Sequence, residues 1–137
     1  MPVRHPVESY KFWDVVALWS EEQDEPQEII ARILAKGIVR EGLRLNSTEI
    51  LGVRRRISEL ELKGQPFVGF CATPGSEMSI LRVSALQHLL AVARQARGPS
   101  RNALRDEFIL KEDFHRWLRT TRRQLPAFWF ARSDGAV

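Results

Sequence analysis

The run from Gly64 to Val83 breaks the rhythm of the rest of the chain, and that break limits the fold more than any other feature. Elsewhere apolar residues recur every three or four positions, the spacing of one helix face. Here "PFVGF" and "SILRV" are short runs rich in aromatic and β-branched residues, and the "CATPGSEM" between them carries a Pro-Gly turn signature. The segment reads as a two-stranded hairpin with its loop near residues 71–78. With helical stripes on both sides, the expected class is mainly α: a single domain over residues 1–137 of about five helices. One small β-hairpin, at residues 66–84, falls between the third and fourth.

The stripes place the helices. In "YKFWDVVALWS" (10–20), Phe12, Val15, Val16 and Trp19 share one face. "EEQDEP" ends that helix, and Pro26 suits the start of the next, where Ile29, Ile30, Ile33 and Leu34 form a second stripe and Gly37 reads as a stop or weak point. "IVREGLRLN" is a connector with an extra turn or a short strand. Asn46 or Ser47 can cap a third helix, Glu49 reciprocating, with Ile50, Val53, Ile57 and Leu60 inward and Gly64 as terminator. Gly52 costs that helix roughly 1 kcal/mol against alanine. "SALQHLLAVARQAR" (84–97) and "KEDFHRWLRTTRRQ" (111–124) are the fourth and fifth, the latter with Phe114, Trp117, Leu118 and Thr121 on one face. "ALRDEFIL" (103–110) fits a helical turn or a short strand equally.

Composition narrows the class. The 137 residues are 44% hydrophobic, enough for one core, yet charges interrupt every apolar stretch, so no membrane span is expected. The N-terminus lacks the apolar centre of a secretory signal, and the single Cys71 can form no internal disulfide. A cytoplasmic location follows as the expectation. Residues 1–36 hold four Lys/Arg against seven Asp/Glu, whereas residues 37–137 hold 17 against ten, so an acidic front joins a basic remainder and the net charge is +4. Only four of the 21 cations are lysines, and the arginine fork suits phosphate, guanine edges and carboxylates.

Catalysis needs a nucleophile or base with a partner to tune it. His5, His88 and His115 lie far apart on different elements, and no metal-ligand, phosphate-loop or nucleophile-elbow string occurs. The expectation is no enzyme, no metal and no cofactor. The arginines offer more. Arg54, Arg55 and Arg56 sweep an arc of about 200° on their helix. Arg116, Arg119, Arg122 and Arg123 would form a ridge opposite Phe114 and Trp117. Either set can follow a phosphate backbone or simply form a solvated face.

The stretch "NSTEILGVRRRISELELKGQPFVGF", with Arg56, Ile57, Ser58, Leu60 and Gly64 spaced R-I-S-x-L-x-x-x-G ahead of a hairpin, resembles the recognition helix and first wing strand of winged helix-turn-helix proteins. The resemblance covers residues 46–84. It implies that Arg54, Arg55 and Arg56 enter a duplex DNA groove and that Arg82 belongs to a wing touching backbone. Only one helix fits between Ser47 and Arg56, so residues 27–42 would act as the preceding helix and "GLRLN" as the turn. The resulting expectation is a nucleic-acid-binding or regulatory protein of bacterial or phage type, with Arg116, Arg119, Arg122 and Arg123 adding phosphate contacts. The alternative is a protein-interaction adaptor, self-associating or not, docking through Phe128, Trp129 and Phe130 in "LPAFWF" or through the acidic front.

Overall fold

The computed structural model of the chain describes residues 8–47, 67–95 and 97–130. In order they form β1 (Ser9–Lys11), α1 (Phe12–Gln23), α2 (Gln27–Arg40), β2 (Phe67–Phe70), β3 (Ser79–Arg82), α3 (Val83–Gln95), β4 (Phe108–Leu110) and α4 (Lys111–Thr120). The fold is therefore mixed α and β rather than mainly α. The four helices stand where four of the five were expected; the third, over 47–64, lies outside the described residues. The expected hairpin is β2–β3, antiparallel, with Phe67 opposite Arg82 and Phe70 opposite Ser79. The second sheet was not expected. β1 and β4 pair antiparallel with Tyr10 opposite Ile109, joining the two ends of the described chain. Three-residue strands are too short to print a period of two, and their partners lie about a hundred positions away.

Residues 45–47 bridge the two sheets. Asn46 makes an antiparallel bridge with Phe108 through backbone bonds of 3.0 and 2.8 Å. On its other side Ser47 N–H donates to Ile80 O at 2.8 Å, while Asn46 Oδ1 and Ser47 Oγ accept from the Ile80 and Arg82 amides at 3.0 Å each. Both side chains expected to cap the third helix bond β3; the amides they would cap lie outside the described residues. The short strand anticipated in this connector is present only as that bridge.

Helix α1 buries Phe12, Val15, Val16 and Trp19 as anticipated, then ends on Asp24 in left-handed conformation (φ 58°). Helix α2 departs from expectation twice. Its inner face takes Ile30, Leu34 and Ile38, leaving Ile29 41% exposed and Ile33 half-buried. It also runs straight through Gly37 to Arg40. A Cβ on Gly37 would stand 2.8 Å from the Trp117 indole, so this glycine admits the close approach of α4 rather than stopping the helix. Trp117 Nε1 in turn donates to Glu41 Oε1 at 3.0 Å.

The aromatic tail closes the core. Trp129 is wholly buried, Phe130 is 5% exposed and Phe128 packs half-buried beside them. Tyr10 meets Trp129 edge-on at 4.8 Å, and Phe114 packs against Trp129 at 5.4 Å. Glu22 fastens the turn by accepting the Ala127 and Phe128 amides at 2.8 Å each. Fully burying a large apolar side chain stabilises the fold by roughly 1.5–3 kcal/mol, so Trp129 and Phe130 are core rather than exposed docking anchors, with Phe128 packed partly buried against them. Among the described residues no helix is long and apolar enough to cross a membrane.

Candidate nucleic-acid interface

The arginine segment is held at both ends by one strand. Ser47 bonds one edge of β3 at Ile80, and Phe67 pairs with the other edge at Arg82. Two strand spacings separate those edges, about 10 Å. Residues 48–66 thus leave and rejoin the sheet at neighbouring points on the same strand. Arg54, Arg55 and Arg56 lie outside the described residues; the described residues on either side of their segment, Ser47 and Phe67, are both joined to β3.

Arg82 belongs to that platform, not to a free wing. Its Nε donates to Glu107 Oε2 at 2.8 Å and its Nη2 to Glu107 Oε1 at 2.9 Å, a two-pronged pair around a carboxylate with no solvent exposure. Nη2 also reaches Ala103 O at 3.1 Å, and Ser47 Oγ donates to Glu107 Oε2 at 2.5 Å. The hydrogen bond to Glu107 holds the guanidinium above its ordinary pKa against the opposing effect of burial. Freeing Arg82 for phosphate would strand a buried charge. Its expected wing contact is therefore corrected to a structural lock tying β3, the Ser47 junction and the approach to β4.

The ridge expected on the last helix is also shorter than its spacing implied. Helix α4 ends at Thr120 because Arg122 turns left-handed (φ 60°). Arg122 N–H then donates to Arg119 O at 3.1 Å and Arg123 N–H to Leu118 O at 2.8 Å, the two bonds of a Schellman end. Arg122 and Arg123 consequently lie past the helix, and Arg123 stacks over the Trp117 ring at 5.2 Å. Arg116 donates to Asp113 Oδ1 at 3.1 Å, while Arg119 and Arg122 point to solvent.

Asp113 explains that geometry. Its side chain is only 1% exposed, and Arg44 approaches its other oxygen at 3.4 Å without an aligned hydrogen bond. Burial pushes the Asp113 carboxyl above the ordinary carboxylate value, opposed by the charges of Arg44 and Arg116. His88, whose Nε2 accepts the Ser100 amide at 2.9 Å, is held below its ordinary value by burial and then by Arg97.

Sequence reasoning missed a further cationic set. Arg32, Lys36 and Arg40 stand exposed on α2 at spacings of four, and Arg97 faces them from beyond α3. They rim a groove of about 350 Å³ floored by Ile29, Ile33, Val92 and Ala93. The period-four repeat of cations was legible; the groove needed α3 packed alongside. Comparison with protein-family models, with curated proteins and with solved structures gives no match to this chain.

Proposed function

We propose that the chain is a non-enzymatic nucleic-acid-binding or regulatory protein that contacts duplex DNA through Arg54, Arg55 and Arg56, in a winged helix-turn-helix manner. The observation that carries this reading is the clamped segment. The bridge at Asn46, an arginine-bearing segment and the hairpin β2–β3 follow one another, and residues 46–47 and β2 are hydrogen-bonded to opposite edges of β3. That arrangement suits a module that presents one segment to a groove on a rigid base, since precise contacts need a supported first layer. Arg119 and Arg122, exposed at the end of α4, supply the auxiliary phosphate contacts.

Fluorescence anisotropy with a labelled mixed-sequence duplex tests the proposal. Binding at about 50 mM salt should weaken steeply as salt rises, each neutralised phosphate adding close to one to the logarithmic slope. Replacing Arg54, Arg55 and Arg56 together by alanine should abolish binding while the far-ultraviolet circular dichroism of the fold persists. Absence of binding to any duplex at that salt sinks the reading.

A further inference from the structure

The outward stripe of α2 changes character along its length. Ile29, Ile33, Lys36 and Arg40 fall within roughly 60° of arc at 100° per residue, away from the buried face of Ile30, Leu34 and Ile38. The first two are apolar and the last two cationic, and Ile29 is 41% exposed. Helix α3 lies alongside and completes the groove of about 350 Å³, with Val92 and Ala93 joining the isoleucines in its floor.

Charge is unevenly distributed along this groove. Just past α3, Gly98 stands against Glu28 and Arg32, so the isoleucine end carries charges of both signs. Arg32 is already engaged. The other end is cationic alone. No Asp or Glu stands three or four positions from Lys36 or Arg40 in the sequence, and none lines the groove among the described residues. Glu41, next to Arg40, is taken by Trp117 Nε1 at 3.0 Å.

We propose that the groove binds a single-chain fatty carboxylate, its head group between Lys36 and Arg40 and its hydrocarbon chain over Val92, Ala93 and Ile33 toward Ile29. Two cations one turn apart on the same stripe are near enough to share one carboxylate, whose geometry the arginine fork matches. The methylene stems of the cations extend the apolar walls. The volume lies at the small end of ligand sites, which suits one chain and not the two of a phospholipid. A polynucleotide would gain little from an aliphatic floor, because bases stack on aromatic side chains. This inference goes beyond nucleic-acid binding and stands whether or not Arg54–Arg56 touch DNA.

Isothermal titration calorimetry of the full chain with hexanoate, octanoate, decanoate and dodecanoate, each below its micelle concentration, tests it. Dodecanoate should bind saturably at roughly 100 μM. Each methylene that enters the groove should tighten binding about two- to fourfold. Lys36→Gln with Arg40→Gln should weaken dodecanoate by about tenfold or more and leave decanol unchanged. Ile29→Asn should flatten the dependence on chain length. Both variants alter exposed side chains, so their thermal unfolding should match the parent's. Absence of saturable dodecanoate binding, an affinity indifferent to chain length, or full affinity in the Lys36–Arg40 variant overturns the proposal. So does capture by anionic phospholipid vesicles without dodecanoate binding, an outcome that would assign the face to a bilayer surface.

Discussion

Replacing Arg82 by methionine removes the one cation that pairs with the Glu107 carboxylate among the described residues. Glu107 is 0% exposed, and Arg82 supplies two of the three hydrogen bonds its side chain receives, at 2.8 and 2.9 Å, the third coming from Ser47. Breaking one side of a buried pair costs about 3–5 kcal/mol, mostly from the charge left behind. A domain of this size has roughly 5–15 kcal/mol in hand, so the variant loses about a fifth of its stability at the least. With a urea slope of about 2 kcal/mol/M the midpoint should fall by roughly 2 M, read by tryptophan fluorescence and circular dichroism together. The double variant Arg82→Met with Glu107→Met should return to within about 2 kcal/mol of the parent, because neither charge then remains buried. Under conditions where Arg82→Met is still folded, its salt slope for duplex binding should match the parent's. A loss below about 1 kcal/mol, or a double variant as unstable as the sum of the singles, would refute the lock.

Three further outcomes follow from the geometry. Gly37→Ala sets a Cβ 2.8 Å from the Trp117 ring; overpacking of about 1–3 kcal/mol against a helix gain near 1 should lower the urea midpoint and shift the Trp117 emission. Arg122→Gly relieves a left-handed residue at the end of α4 and should stabilise by about 0.5–1 kcal/mol after the added freedom of the unfolded chain. If Arg122 touches phosphate, the same change lowers the salt slope by about one. Asp113 has a folded pKa raised above its unfolded value, so its contribution is full below about pH 4 and is lost as pH rises through the folded value. Urea midpoints of Asp113→Asn should therefore gain on the parent between pH 4 and 7; a gap that does not change with pH would contradict the buried carboxyl.

Local patterns were readable because they depend on neighbours a turn apart. Phe12, Val15, Val16 and Trp19 mark one face of α1 whatever lies beyond it, Pro26 opens α2, and the Pro-Gly of residues 74–75 separates β2 from β3. The amphipathic pattern likewise separated the inward Phe114 and Trp117 from Arg116 and Arg119 on α4. What it could not carry were contacts between distant residues. The pairing of Tyr10 with Ile109 and the approach of Gly37 to Trp117 each join positions that no helical or strand period relates.

The same division separates the candidate site into two parts. The amino-acid order alone determined that arginines cluster at 54–56 and 116–123 and that a hairpin follows the first cluster. Only tertiary structure decided which cations are available. Arg82 is claimed by a glutamate 25 positions on, Arg116 by a buried aspartate, and Arg122 leaves its helix because Arg119 and Leu118 carbonyls accept the returning chain. "LPAFWF" could be anchor or lid by composition, and Tyr10, Glu22 and Phe114 make it the lid. A guanidinium or an indole has the same chemistry anywhere in a chain; its role depends on the carboxylate or cavity that folding brings within about 3–5 Å.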